Sequence, residues 1–235
     1  SNNYVTTGWQ GSDGATITQT TGTYDNANAG INKLVNVTLA SSDYSATNGT
    51  LLSNYNLPTA ASGYVGVITP KSVTVSNASR TTTYDGLSSY NALAAGTTYT
   101  VGAMVGSDTV SSISQTASGF SGGASGTAQA GTYTITPSSA VMGTGSASNY
   151  SFSYVSSTHT VNKATLNLAI SKTYDGSTSF SSANANTYTF TGMVNSESAP
   201  TISAGAATTG NADVNTYNTF ATNTLALSSG NYTLT

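Results

Sequence analysis

The 235-residue chain has no cysteine, one histidine, one tryptophan and four prolines, and only 6% of its residues are charged. Without cysteine, disulfides and thiolate metal sites are excluded, and with them a disulfide-stapled scaffold. The single histidine, His159, would have to serve any Ser-His-Asp triad or His-based metal site. No nucleophile elbow, paired carboxylates, phosphate-cradling glycine loop or metal cluster accompanies it. His159 therefore reads as an exposed strand residue, and the chain as no enzyme and without cofactor. Where about 25% charge is typical, a net charge of −3 gives no basic footprint for nucleic acid and no polybasic membrane patch. No apolar run reaches the length of a membrane span. Ser1 to Gln10 does not read as a signal peptide, so an export signal is expected outside this sequence. With so few ion pairs, stability is expected to respond little to salt or to pH through the acid range.

What the chain does contain is enough to fold. Hydrophobic residues make up 37%, and 24 glycines accompany them. Surface positions must then be Ser, Thr, Asn and Gly. Thr98-Tyr99-Thr100-Val101, Thr132-Tyr133-Thr134-Ile135, Thr187-Tyr188-Thr189-Phe190 and Tyr232-Thr233-Leu234 alternate large residues with Thr. Ser72 to Val75 and Leu166 to Ile170 follow the same rule. Period two in β-branched and aromatic residues predicts half-buried strands with Thr outward and most tyrosines in the core. No amphipathic helical stripe is present, although Tyr90 to Ala95 can form a short helical turn. The expected class is all-β or nearly so.

Repeated landmarks organise this pattern. Tyr84-Asp85-Gly86 recurs 90 residues later as Tyr174-Asp175-Gly176. Asp-Gly between alternating segments is a hairpin signal, because the tight primed turn needs positive φ. A tyrosine followed five residues on by a bulky residue, then by a polar turn with an acid, occurs three times. The instances are Tyr4 to Trp9 with Gly11-Ser12-Asp13, Tyr99 to Met104 with Gly106-Ser107-Asp108, and Tyr188 to Met193 with Asn195-Ser196-Glu197. Next come Ala29-Gly30, Ala130-Gly131 and Val214-Asn215. Last are the pairs Asn54-Tyr55, Asn149-Tyr150 and Asn231-Tyr232. Fixed order at a period of about 90 residues predicts tandem repeats: residues 1-70 as a partial repeat lacking its opening strand and Tyr-Asp-Gly turn, 71-162 as a complete one, and 163-235 as a partial one lacking its closing strand. Joints such as Thr69-Pro70-Lys71 and Asn162-Lys163 are short, which favours a stiff, elongated row.

Each landmark has a plain structural reading. Asp13, Asp108 and Glu197 are expected to cap turns by accepting backbone N–H bonds, since calcium needs several oxygen donors and each turn offers one acid. Trp9, standing where Met104 and Met193 stand, is expected in a core. Asn149-Tyr150-Ser151 and Asn231-Tyr232-Thr233 match the glycosylation acceptor pattern, as chance allows in a chain this rich in Asn, Ser and Thr.

An opening strand with Tyr-Asp-Gly, a Gly-x-Thr-Tyr-like strand, an Asn-Tyr pair and a closing strand before Pro-Lys or Asn-Lys together resemble the YDG/MBG-type repeat of large bacterial surface proteins. Many of these are secreted adhesins with a filamentous-haemagglutinin-like export domain. The resemblance implies tandem β-grasp-like or sandwich-like repeats forming a stalk or filament at the cell surface, with roles in cell adhesion and biofilm. It offers no catalytic residue. Partners would be neighbouring repeats or copies of the chain, which would also cover sheet edges that few charges protect. Surface glycans are a further partner under the alternative reading, a carbohydrate-, surface- or ice-binding β module with ranks of outward Thr.

Overall fold

The computed structural model describes residues 4–88, 93–94, 97–119, 127–181, 183 and 187–235. The chain is β-rich, with strands in several sheets and short 3₁₀ turns at Ser41–Asp43, Leu52–Asn54 and Ala147–Asn149. Of the helical turn expected over Tyr90 to Ala95, Leu93 and Ala94 are described and are helical; the rest lies outside the described residues. Among the described residues no helix is long and apolar enough to cross a membrane.

Alternation builds the strands as expected. In Gly131–Thr144, Tyr133 and Ile135 are buried while Thr132 and Thr134 face outward. Val73 and Val75 are buried in Lys71–Asn77, and Ala164 and Leu166 in Ala164–Ser171. The last two strands hold matching positions in their sheets. Lys71–Asn77 lies between Tyr150–Val155 and Tyr99–Val101. Ala164–Ser171 lies between Tyr232–Leu234, to which it is parallel, and Thr187–Thr191, to which it is antiparallel. In both sheets an opening strand is flanked by an Asn-Tyr strand on one side and a Thr-Tyr strand on the other.

The residues group into two compact units. One comprises Ser1–Val73, Ala103–Ser111 and Val141–Ser153; the other comprises Thr74–Gly102, Ser112–Ala140 and Tyr154–Thr235. In the first, Ala15, Ile17, Leu39 and Tyr44 form a buried cluster, with Trp9, Val37, Leu52 and Leu57 packed against it. Gly14–Ile17 pairs antiparallel with Tyr44–Thr47, and Gly30–Thr38 pairs with both Thr23–Tyr24 and Ala60–Ile68. The Tyr24 ring lies over Gly66, where any Cβ would collide with it. The second unit has the larger core, built from Tyr84, Tyr133, Ile135, Val161, Leu166 and Tyr232, with Phe190, Met193 and Val194 against it.

Asp85-Gly86 does not make the expected hairpin. Arg80–Thr83 pairs in parallel with Ser157–Asn162, and Asp85 Oδ1 accepts the N–H groups of Leu87 and Ser88 at 2.9 and 2.8 Å. An Asp side chain that satisfies the backbone two and three residues on makes its own turn, with no need of a facing strand. Gly86 still takes positive φ (67°), as does Gly176 (72°).

Leu166 is fully buried, so Leu166→Ala should cost about 2–5 kcal/mol. Thr134→Ala, on the outward phase of its strand, should stay within about 0.5 kcal/mol of the parent. Urea unfolding of the two variants measures both.

Candidate functional site

The three acid turns share one geometry. The N–H groups of Asp13, Asp108 and Glu197 each donate 3.0 Å bonds to the carbonyls of Gln10, Val105 and Val194. The position two residues before the acid takes positive φ in every case: Gly11 at 61°, Gly106 at 56° and Asn195 at 48°. Glycine accepts this region freely, and asparagine is among the few other residues that do.

Each acid receives a tyrosine hydroxyl from an Asn-Tyr pair. Tyr55 Oη donates to Asp13 Oδ2 at 2.6 Å, Tyr150 Oη to Asp108 Oδ2 at 2.6 Å, and Tyr232 Oη to Glu197 Oε2 at 2.5 Å. The same hydroxyls accept backbone N–H bonds from Gln10, Val105 and Val194. The carboxylates therefore do not cap their turns by collecting backbone N–H groups. The tyrosine hydroxyl is interposed, accepting from the turn and donating to the acid. Partner acid and tyrosine are 42 residues apart in the first two cases and 35 in the third. That near-constant offset was the available signal for a pairing that motif-by-motif reading misses.

The asparagine of the pair makes a second connection. Asn149 Oδ1 accepts the Ala29 N–H at 2.7 Å, and its Nδ2 donates to Asn28 Oδ1 at 3.0 Å. Asn231 repeats this with Ala130 N–H at 2.9 Å and Gln129 Oε1 at 2.6 Å. A carboxamide offers a donor and an acceptor side by side, so one side chain satisfies both groups. Each asparagine thereby joins the Ala-Gly landmark that precedes it in the series to its own Asn-Tyr pair.

Tyr84-Asp85-Gly86 completes the richest of these joints. Tyr84 Oη donates to Glu197 Oε1, so Glu197 accepts from two tyrosines at once. The Tyr84 and Tyr232 rings meet edge to face at 5.7 Å and 85°. Asn195 Nδ2 donates to the Gly86 carbonyl at 2.9 Å. A Cβ on Gly86 would sit 3.0 Å from both Asn195 Cβ and Glu197 Oε1, so a side chain there would press both neighbours aside in addition to the strain of its positive φ. Burial, followed by the Glu197 carboxylate, raises the ionisation of Tyr84 and Tyr232 above the ordinary tyrosine value. The hydrogen bonds to Asp13 and Asp108 raise Tyr55 and Tyr150.

The remaining predicted residues are less uniform. Trp9 is half-buried beside the first core and meets Tyr55 edge on at 4.7 Å, with Nε1 buried and unpartnered among the described residues. Met104 and Met193 are half-buried, and Met193 packs on the second core. Tyr174 is not a core residue. It is 64% exposed, whereas Tyr84 is 4% exposed. Asp175 binds the Ser177 N–H at 2.9 Å and pairs with Lys172 at 2.7 Å. Tyr64 is exposed and Asn54 lies at the surface, but Asn231 is buried, which closes that acceptor pattern to a glycan.

His159 reverses the expectation of an exposed strand residue. It faces Tyr133 across the antiparallel pair, is 1% exposed, and its Nε2 lies 2.9 Å from Thr82 Oγ1. Nδ1 makes no well-formed hydrogen bond among the described residues. Burial first, then the Arg80 charge, lowers its pKa. Among the described residues no three of His, Cys, Asp or Glu gather closely enough to hold a metal ion. No family profile matches the chain, and no curated protein or solved structure is significantly similar to it.

Tyr232→Phe removes the donor to a carboxylate in a buried joint and should cost about 1–3 kcal/mol in urea unfolding. Tyr55→Phe should cost less, because water can reach the half-exposed Asp13. Stability should also fall on both sides of neutrality. The raised tyrosines favour the neutral hydroxyl, a contribution complete below about pH 10 and lost as pH rises further. His159, with its lowered pKa, contributes fully above about pH 6.5, and that contribution is lost as pH falls. This replaces the pH-insensitive acid limb expected from composition. Thermal melts across pH should show His159→Gln with a flatter response between neutral and mildly acidic conditions.

Proposed function

We propose that the chain is a structural stalk or filament-forming repeat region of an extracellular bacterial adhesin or surface fibre. Its tandem repeats correspond to residues 71-162 as a complete repeat, with 1-70 and 163-235 as partial ones. The observation that carries this reading is the threefold recurrence of one joint: acid turn, tyrosine hydroxyl and backbone amide, in the same order along the chain. The twice-used asparagine clamp and the matching strand neighbours of Lys71–Asn77 and Ala164–Ser171 support it further. The acid–tyrosine bonds tie each landmark set to itself, and the asparagine clamps with the Tyr84–Glu197 bond join one set to the next. Its mechanism on this reading is mechanical: tyrosine-centred β cores in series, locked by tyrosine–carboxylate and carboxamide hydrogen bonds, hold another part of a surface protein away from the cell.

Small-angle scattering tests the stiffness and extension that a stalk requires. Three repeats of about 30–40 Å each give a rod of about 100 Å and a radius of gyration of about 29 Å. A single compact globule of this length would give about 18 Å. The smaller value would overturn the stalk reading.

A further inference from the structure

The two Tyr-Asp-Gly motifs make the same local turn yet differ in what covers them. Leu87 N–H bonds Asp85 Oδ1 at 2.9 Å, and Ser177 N–H bonds Asp175 Oδ1 at 2.9 Å. Gly86 and Gly176 share positive φ. Tyr84 is nonetheless buried under Glu197, Asn231 and Tyr232, while Tyr174 is 64% exposed and its hydroxyl has no partner among the described residues. A Cβ on Gly86 would crowd Asn195 and Glu197; one on Gly176 would meet nothing within 4 Å. The second half of the joint is open as well. Where Gln129 and Ala130 are clamped by Asn231, the corresponding Asp213 and Val214 are exposed, Val214 at 85%. Tyr174, Asp175, Phe180, Val214, Asn215 and Tyr217 line one concavity of about 410 Å³.

The complementary half is open elsewhere in the chain. Asp13 uses Oδ2 for Tyr55, and its Oδ1 accepts nothing among the described residues, whereas both oxygens of Glu197 are engaged by tyrosines. Asn54 is exposed with its carboxamide unbonded among the described residues, whereas Asn149 and Asn231 are both clamped. Tyr55 is half-exposed where Tyr150 and Tyr232 are buried.

We infer that the Tyr174–Val214 concavity is a docking site for a second copy of this chain, which fills it with the Asp13 turn and the Asn54-Tyr55 pair. The joint so formed copies the one between Tyr84, Gln129 and Ala130 on one side and Glu197, Asn231 and Tyr232 on the other. Tyr174 Oη donates to the second copy's Asp13, and the second copy's Asn54 bridges Asp213 and the Val214 N–H. The inference rests on the stalk reading and names its partner. Because the two halves differ, the contact is head-to-tail and continues from copy to copy unless it closes into a ring.

The test is sedimentation of the full chain over a concentration series, with one variant for each half. Tyr174→Arg blocks the concavity and Asn54→Arg blocks the opposing pair; Val214→Arg is a second block of the concavity should Tyr174→Arg fail to fold. Wild type should form a concentration-dependent ladder of oligomers, and each variant alone should be monomeric. An equal mixture of Tyr174→Arg and Asn54→Arg retains one good concavity and one good pair, so it should form dimers and stop there. A wild type that stays monomeric, variants that associate like wild type, or a mixture that stays monomeric would each overturn the inference. A monomer with the extended scattering radius would remove the docking site and leave the stalk reading standing; a compact monomer would remove both.

Discussion

A carboxylate leaving bulk water needs donors, and this chain has only five lysines and arginines to supply them. The tyrosine hydroxyl takes the place of the cation. In each acid turn it accepts a backbone N–H and donates to the carboxylate, so one side chain satisfies two polar groups, and the Tyr232 ring also lies in the core. Glu197 carries this furthest, with a tyrosine on each oxygen and the two rings in edge contact. Gly86 leaves room for Asn195 and Glu197 at these rings, and both rings belong to the core that holds Leu166, with Val194 packed against it.

Replacing ion pairs by neutral donors changes what the joints respond to. Hydrogen bonds between hydroxyl, amide and carboxylate are directional and little screened by salt, whereas exposed ion pairs are weak and screened. The two ion pairs among the described residues, Lys33–Asp25 and Lys172–Asp175, lie at turns and leave the joints untouched. The asparagine clamps extend the same chemistry, because a carboxamide accepts the backbone N–H and donates to the neighbouring side-chain amide oxygen at once.

Much of the secondary structure was legible. Alternation of Tyr, Val, Ile or Leu with Thr places Tyr133, Ile135, Val73, Val75 and Leu166 inward, because the period of a strand is fixed by its pleat. The turn positions were legible too, since Gly11, Gly106 and Asn195 are residues that tolerate positive φ. What lay beyond local reading was the choice of partner. The Asp85 turn is closed by its own side chain, so Asp-Gly carried no information about a hairpin. Tyr84 and Tyr174 are alike in sequence and in turn geometry, and residues over a hundred positions away, Glu197, Asn231 and Tyr232, cover Tyr84. His159 sits on the inward phase of a strand whose neighbours are Thr, and its burial follows from pairing on both sides, which no short window contains.

The carboxamide of Asn231 faces Gln129 Oε1 with its NH₂ and the Ala130 N–H with its oxygen, and it is shielded from solvent. Hydrolysis to aspartate would set two acceptors against each other at the first of these contacts, while burial withholds the water that such hydrolysis consumes. The folded joint thus protects the group on which it depends, and the chemical ageing of the protein is tied to how often that joint opens.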